Sequence, residues 1–465
     1  MVICDEFIYI CISENEYLIM LLEFTIKNYL SFANEVCFSM VAANTVKEYE
    51  NDDDSLHNVW KSEDGKQRLL KAAAIYGPNG SGKSTLITGM ADYRTMILSS
   101  FKDEDVVKGI SQKFFKFSSE GYKQPVSMQM IFMINETRYR LGFQLHEGKV
   151  DTEWLYMISP NSLRESYCYK RVGDKITINS RTFKGASGLP QKTRNDSLFI
   201  STCAQYNVSI SLEIKNWFTE SFNILSGLDD TLHYTARVFM NDENMRKNIL
   251  SIMNIVDNNI KSIDVTDTPV DASIIPSSQI SVLSEILNKI KAKDNNAELR
   301  KIEVSTLHDV YDDEAIIGNA KLVLGDESLG TIRLFSLLGP WFDTLKKGGT
   351  IIIDEFGASL HTQLSIELLK LFYNLYNPHC AQLIFSTHDT NILRKELLRR
   401  DQVWFTEKDS HGVSDLYSLV EYKINQATSV RNDASFGKDY LIGRYGAIPY
   451  FGNIEKFIRD YGKEK

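Results

Sequence analysis

The sequence predicts an α/β fold: a mixed or parallel sheet with flanking helices, joined to an antiparallel β subdomain and carrying a mainly helical insertion. Three observations lead there. An apolar run, Leu69–Tyr76, passes through a glycine-rich loop into a stretch, Ser84–Tyr93, whose only helix breaker is Gly89. Residues 328–420 alternate helix and strand patterns, and Thr350–Ile353 and Leu383–Phe385 are apolar throughout, as parallel strands covered on both faces are. Residues 114–200 instead carry hairpin signals: Val126–Ile134 and Thr137–Leu145 flank Asn135-Glu136, and Ser166–Arg171 and Lys175–Ile178 flank Gly173-Asp174.

The remaining elements follow in chain order. Residues 7–22 are apolar but interrupted by Glu14 and Glu16, and Asp5 and Glu6 stand where a signal peptide carries positive charge. No other stretch approaches the roughly 20 apolar residues of a membrane helix. The expectation is therefore a cytoplasmic protein with residues 1–19 as an N-terminal extension and Met20 as a candidate natural start. Phe24 and Ile26, then Val36, Phe38 and Met40, alternate with polar residues as two strands. Residues 44–70, with Asp52-Asp53-Asp54, read as a surface loop. Residues 210–300 turn helical, with Asn244–Ile260 and Ser278–Lys293 as the best helices, neither long enough for an extended coiled coil. Residues 300–324 return to strands. These readings divide the chain into 1–19; 20–208, a first lobe with the glycine-rich loop and the antiparallel subdomain; 209–300, the helical insertion; 301–425, a second lobe; and 426–465, a C-terminal tail.

Bulk composition is that of a globular chain. Its 465 residues allow two or three domains, 43% are apolar, and 52 basic against 61 acidic side chains leave a net charge of −9. That charge argues against nucleic-acid binding over the whole surface and leaves room for a local basic patch. Cysteines 4, 11, 37, 168, 203 and 380 form no CxxC pair, which points to reduced thiols and away from metal or disulfide use.

Four motifs carry chemistry. Gly77-Pro78-Asn79-Gly80-Ser81-Gly82-Lys83-Ser84, followed by Thr85, has the G-x-x-x-x-G-K-S spacing of a P-loop. Its glycines let successive amides turn toward one centre and wrap the phosphates of ATP. Lys83 is expected on the β- and γ-phosphates and Ser84 on Mg²⁺. A chance glycine turn is the competing reading, disfavoured by the strand before and the helix after. Thr350–Ile353 then delivers Asp354 and Glu355 to a strand's C-terminal end, where open α/β sheets bind ligands. Asp354 is expected to position Mg²⁺ and Glu355 to polarise the attacking water. Ser386-Thr387-His388-Asp389 follows the next strand and offers His388 to a γ-phosphate. Glu327-Ser328-Leu329-Gly330-Thr331 opens a helix and presents the Ser328 hydroxyl with helix N-terminal amides at Gly330.

Lys83 and Asp354 stand 271 residues apart (354 − 83). This wide spacing, with the Ser-Gly signature between, resembles the ABC-type ATPase heads of the RecF, SMC and OLD groups. The segments LEFTIKNYLSF, YGPNGSGKST, ESLGTIRLF, IIIDEFGASLH, FSTHD, QVWFTEKD and FGKDYLIGRYGAIPYF are similar to those of the OLD-related "AAA" ATPases of bacterial abortive-infection and anti-phage loci, the circle of RloA, AbiL and PARIS-type subunits. The resemblance runs from about residue 20 to 455. It implies a P-loop head of ABC type in which two chains sandwich ATP. Lys83 and Ser84 fall on the phosphate and Mg²⁺ residues, Asp354 and Glu355 on the metal-site acid and base, His388 on the switch histidine, and Ser328 and Gly330 on the signature acting in the opposite subunit's site. Ala358–His361 falls on the inter-subunit loop, and Gln205 is the candidate Mg²⁺- and water-sensing glutamine. Leu329 and Thr331 depart from the LSGGQ of transporters.

Only 77 residues follow His388 (465 − 388), and they hold no DxD, so no nuclease is expected in this chain. The resemblance implies a homodimer or higher homo-oligomer and a separate effector, RloB-like or a TOPRIM-type nuclease, with a phage trigger. A DNA-repair ATPase of RecF type that binds DNA directly is the competing reading; a scaffold that binds ATP without hydrolysing it is a third, which the intact Glu355 opposes. Arg394, Lys395, Arg399 and Arg400 are expected on one helix, as a solvated face or a patch for a partner or nucleic acid, and Trp404 and Phe405 in the core of the next strand.

Overall fold

A computed structural model describes residues 18–46, 57–62, 65, 67–160, 162, 164–225, 229–269, 300–373, 377, 379–424, 428–429 and 435–448. The expected helix at Ser278–Lys293 and almost all of the N-terminal extension lie outside them. The chain divides into two compact units, one built on Gly227–Asp343 and the other on Ile12–Ser226 with Thr344–Lys465.

The larger unit holds two sheets. One is parallel over five strands, in the order Phe222–Leu225, Thr350–Ile353, Gln382–Ser386, Ala72–Tyr76 and Val403–Lys408, with Ser414–Ser418 added antiparallel at the edge. The central three are buried along their whole length, which is why their sequences show no alternation. The order places the histidine strand, Gln382–Ser386, between the P-loop strand, Ala72–Tyr76, and the acidic strand, Thr350–Ile353. All three C-terminal ends therefore open on the same edge of the sheet.

The second sheet is antiparallel, with seven strands from Lys175–Ile178 through Ser166–Val172, Lys149–Ile158, Thr137–His146, Val126–Ile134 and Ile19–Lys27 to Val36–Ser39. The expected hairpin closes at Ile134↔Thr137, and Asn135 and Glu136 have φ of 48° and 63°. Two left-handed residues in a two-residue loop match the twist of the flanking strands. Ile19, placed in the extension by the sequence reading, pairs with Ile134 and belongs to the sheet.

The helix Lys83–Ser99 carries the P-loop on this platform. Leu86, Met90, Tyr93 and Ile97 recur at helical spacing and are buried. Tyr93 stacks on Phe143 at 5.2 Å, meets Phe24 edge-on, and donates to the Leu141 carbonyl at 2.9 Å. Gly89, the weak point of the helical pattern, lets the helix lie close on the sheet: a Cβ there would stand 2.7 Å from Ile26 Cδ1, which would have to turn aside. Each large side chain so buried contributes about 1.5–3 kcal/mol.

The unit Gly227–Asp343 contains helices Asp229–Asn241 and Glu243–Val256 and an antiparallel sheet of Ile260–Pro269, Arg300–Asp312 and Ala315–Val323. The segment expected as helical therefore also contains strands, Phe222–Leu225 and Ile260–Pro269. The helix expected over Asn244–Ile260 ends at Val256 because Asp257-Asn258-Asn259 turns the chain. The expected basic helix is absent: Arg394 to Arg400 run through turns. Arg399 is buried and paired with Asp401 at 2.8 Å, and Arg400 is buried too, so the four do not form a surface patch. Trp404 and Phe405 lie in the strand core as expected. The described cysteines, 37, 168, 203 and 380, are free thiols.

Candidate active site

The P-loop is held from behind by the next parallel strand. Ser81, almost fully buried, shares a 2.5 Å hydrogen bond with Thr406 Oγ1. Gly77 has φ 153°, and a Cβ there would meet the Thr406 carbonyl oxygen at 2.4 Å. Gly82, at φ 124°, leads into the helix without a side-chain cap, so the first helical amides face the loop. Lys83 is buried and donates through Nζ to the carbonyls of Gly77 at 2.8 Å and Pro78 at 3.0 Å. Asn79, Gly80 and Ser84 are exposed and Thr85 half-buried.

Four ionisable groups converge on this loop. Burial pushes Lys83 below the usual lysine range, and the carboxylates of Asp354 and Glu355 oppose that push. Burial, then the Lys83 charge, pushes His388 down, with Glu355 and Asp354 again opposing. The neutral imidazole is thus favoured, and His388 faces solvent. Asp354 donates its amide to Leu225 O at 3.1 Å, and its carboxylate accepts from Ser386 Oγ. Glu355 is exposed and left-handed at φ 57°, a conformation that costs energy for a non-glycine residue. Ala358 N–H bonds back to Glu355 O at 3.1 Å, starting an exposed loop, Ala358–Ser359, before the helix Thr362–Tyr373. The oxygens of Ser84 and Asp354 are hard donors of the type Mg²⁺ takes alongside waters and phosphates.

Ser328 and Gly330 belong to the unit Gly227–Asp343. Ser328 Oγ accepts the Thr331 amide at 3.1 Å and so caps the helix Leu329–Lys347. Ser328 and Leu329 are exposed. Glu327, just before them, is fixed by His308 Nε2 at 2.8 Å and by Thr306 Oγ1.

Gln205 is the site residue the structure does not bring to the loop. It ends the helix Phe199–Gln205, whose Ser201 donates to Ile97 O at 2.8 Å, in the last turn of the P-loop helix. Ile97 lies about 20 Å from Ser84 along that helix at 1.5 Å per residue. Gln205 is exposed there, away from the phosphate end.

Three residues around the site escaped the sequence reading. Thr406 seats the P-loop, Ser386 bridges Asp354 and Glu355, and Asp389 accepts from Thr362 Oγ1 at 2.6 Å while its carbonyl accepts from Tyr76 OH at 3.1 Å. Ser386 and Asp389 stand in the S-T-H-D motif, but their partners lie far away in sequence, so no local signal gives their roles, and none marks Thr406.

The sequence of residues 72–394 matches the model of the family described as "AAA domain, putative AbiEii toxin, Type IV TA system". That is more than half of the chain. The chain belongs to this family. None of the curated proteins matches the sequence. Among solved structures this AAA-family chain is similar to the SMC head domain from Thermotoga maritima, at 13% identity and TM-score 0.38, covering 86% of this chain and 98% of that one. It is also similar to an Smc head bound to the C-terminal winged-helix domain of ScpA, at 13% identity and TM-score 0.39, covering 88% and 99%. A third is the Smc head with an extended coiled coil bound to the C-terminal domain of ScpA derived from Pyrococcus furiosus, at 12% identity and TM-score 0.37, covering 88% and 98%. The fold is α/β, with a parallel sheet that carries the P-loop and a separate antiparallel sheet, as expected. Among the described residues no helix is long and apolar enough to cross a membrane.

Proposed function

We propose that this chain binds ATP with Mg²⁺ and hydrolyses it, and that it serves as the sensor or scaffold subunit of an anti-phage, abortive-infection system whose effector is a separate protein. The observation that carries the ATPase reading is the convergence of Lys83, Asp354, Glu355 and His388 beside a glycine loop at the ends of parallel strands. Lys83 and the loop amides hold the β- and γ-phosphates. Mg²⁺, held by Ser84 and Asp354, would neutralise charge on the transferred phosphoryl group. Glu355 orients water and takes its proton, and neutral His388 holds the γ-phosphate side of the site as a hydrogen-bonding partner. Ser328 and Gly330 complete the site of a second copy of the chain, in a homodimer or higher oligomer.

The family's description, "putative AbiEii toxin, Type IV TA system", supports the defence role. The OLD-related circle, with an RloB-like or TOPRIM-type partner, remains the finer form of this proposal. Plating efficiency of phages on cells carrying this gene with its flanking genes tests it. The expected result is protection by the wild type and none with Lys83→Ala. Equal protection by both would contradict a role for nucleotide. Turnover that rises strongly with added DNA would favour the repair reading instead.

A further inference from the structure

We propose that Ser386 is a positioning residue for hydrolysis, setting Asp354 and Glu355 relative to each other; this rests on the ATPase reading above. Ser386 ends the histidine strand and its side chain is fully buried. Its hydroxyl donates to Asp354 Oδ1 at 2.5 Å and accepts the Glu355 amide at 2.8 Å. Its own carbonyl accepts the Phe356 amide at 2.8 Å. The sense of these bonds is fixed, because an amide only donates and an ionised carboxylate only accepts. The single hydroxyl hydrogen must therefore point at Asp354. That bond engages Oδ1, so the other carboxylate oxygen would be the one offered to a hard cation.

The same hydroxyl holds the backbone of the next residue. Glu355 adopts φ 57°, which a glutamate keeps only where its surroundings impose it. Ser386 supplies two of the bonds across this turn, one from Oγ to Glu355 and one from its carbonyl to Phe356. One buried side chain thus couples the carboxylate that holds the cation to the direction in which the base projects. His388 lies two residues further along the same chain, so its loop and the acidic turn share this anchor.

The test is ATP binding by isothermal titration to the purified full-length protein, with Mg²⁺ titrated in and with a chelator present, for wild type, Ser386→Ala and Ser386→Thr. A hydrogen bond to a charged group is worth about a factor of ten or more. Ser386→Ala is expected to keep its Mg²⁺-free affinity and to need about tenfold more Mg²⁺ for tight binding. Ser386→Thr, which keeps the hydroxyl, is expected to restore the wild-type requirement. In an Asp354→Asn background, Ser386→Ala is expected to change the Mg²⁺ requirement no further. A wild-type Mg²⁺ requirement in Ser386→Ala would overturn the proposal, as would equal losses with and without Mg²⁺, which a purely structural role gives. Should the alanine variant melt early, the near-isosteric Ser386→Cys, a weak donor, gives the same comparison. Wild-type ATP binding that ignores Mg²⁺ would overturn the metal-site reading and this proposal together; wild-type dependence with an unaffected Ser386→Ala would overturn this proposal alone.

Discussion

Burial pushes the Lys83 ammonium toward its neutral form, while Asp354 and Glu355 hold its charge in place. An anion at the loop amides would add to that hold. Lys83→Ala is expected to weaken ATP binding at least tenfold in equilibrium titration, given about 1.5–3 kcal/mol for a charge-assisted hydrogen bond. Unchanged affinity would remove Lys83 from the phosphate site. Gly77→Ala places a Cβ within 2.4 Å of the Thr406 carbonyl, so it is expected to lower both the melting temperature and ATP affinity. At this scale the sequence shows residues whose meaning is local. Glycine spacing and an acidic pair after an apolar strand announce themselves. Thr406 does not, because it touches Ser81 across 325 positions. The position of Gln205 is hidden for the same reason: only the packing of Ser201 on Ile97 shows which end of the P-loop helix it sits beside.

At the scale of elements, Glu153 ties the antiparallel sheet to the helix Phe199–Gln205. Its carboxylate accepts from Tyr169 OH at 2.6 Å and from the amides of Phe199 at 2.7 Å and Ile200 at 3.0 Å. Arg171, equally buried, lies 3.9 Å away. Glu153→Ala leaves three donors unmet and removes the carboxylate beside a guanidinium whose other bonds go to the carbonyls of Gly173, Ser197 and Arg194. It is expected to cost about 3–5 kcal/mol, read as a lower denaturant midpoint. A loss under about 1 kcal/mol would mean the network relaxes without cost. Strands buried on both faces and the two-residue hairpin were legible, since each has a composition of its own. The segment Arg394–Arg400 was not. Its leucines, arginines and lysine are good helix formers, yet Leu397, Leu398 and Arg399 are buried in irregular chain, where tertiary packing and the Arg399–Asp401 pair outweigh propensity. Ile260–Pro269 alternates charged and apolar residues too weakly to be read as a strand without its partner Arg300–Asp312.

For the whole molecule, the motif residues are spread over two compact units. The P-loop, acidic strand and histidine belong to one, and Ser328 and Gly330 to the other. The 271-residue separation of Lys83 and Asp354 (354 − 83) is legible in the sequence; whether copies combine is not, because that depends on surfaces rather than on spacing. If each site is shared between copies, mixing Lys83→Ala chains with Ser328→Arg chains is expected to recover part of the ATPase activity through one intact composite site. No recovery in well-mixed oligomers would contradict sharing. The central claim, that Glu355 activates water in a Mg²⁺-dependent ATPase, is tested most directly by measuring ATP turnover and ATP affinity together in wild type and Glu355→Gln. The account predicts retained affinity, turnover slowed by about a hundredfold or more, and accumulation of the ATP-bound dimer. A Glu355→Gln protein that turns over ATP at the wild-type rate would contradict it.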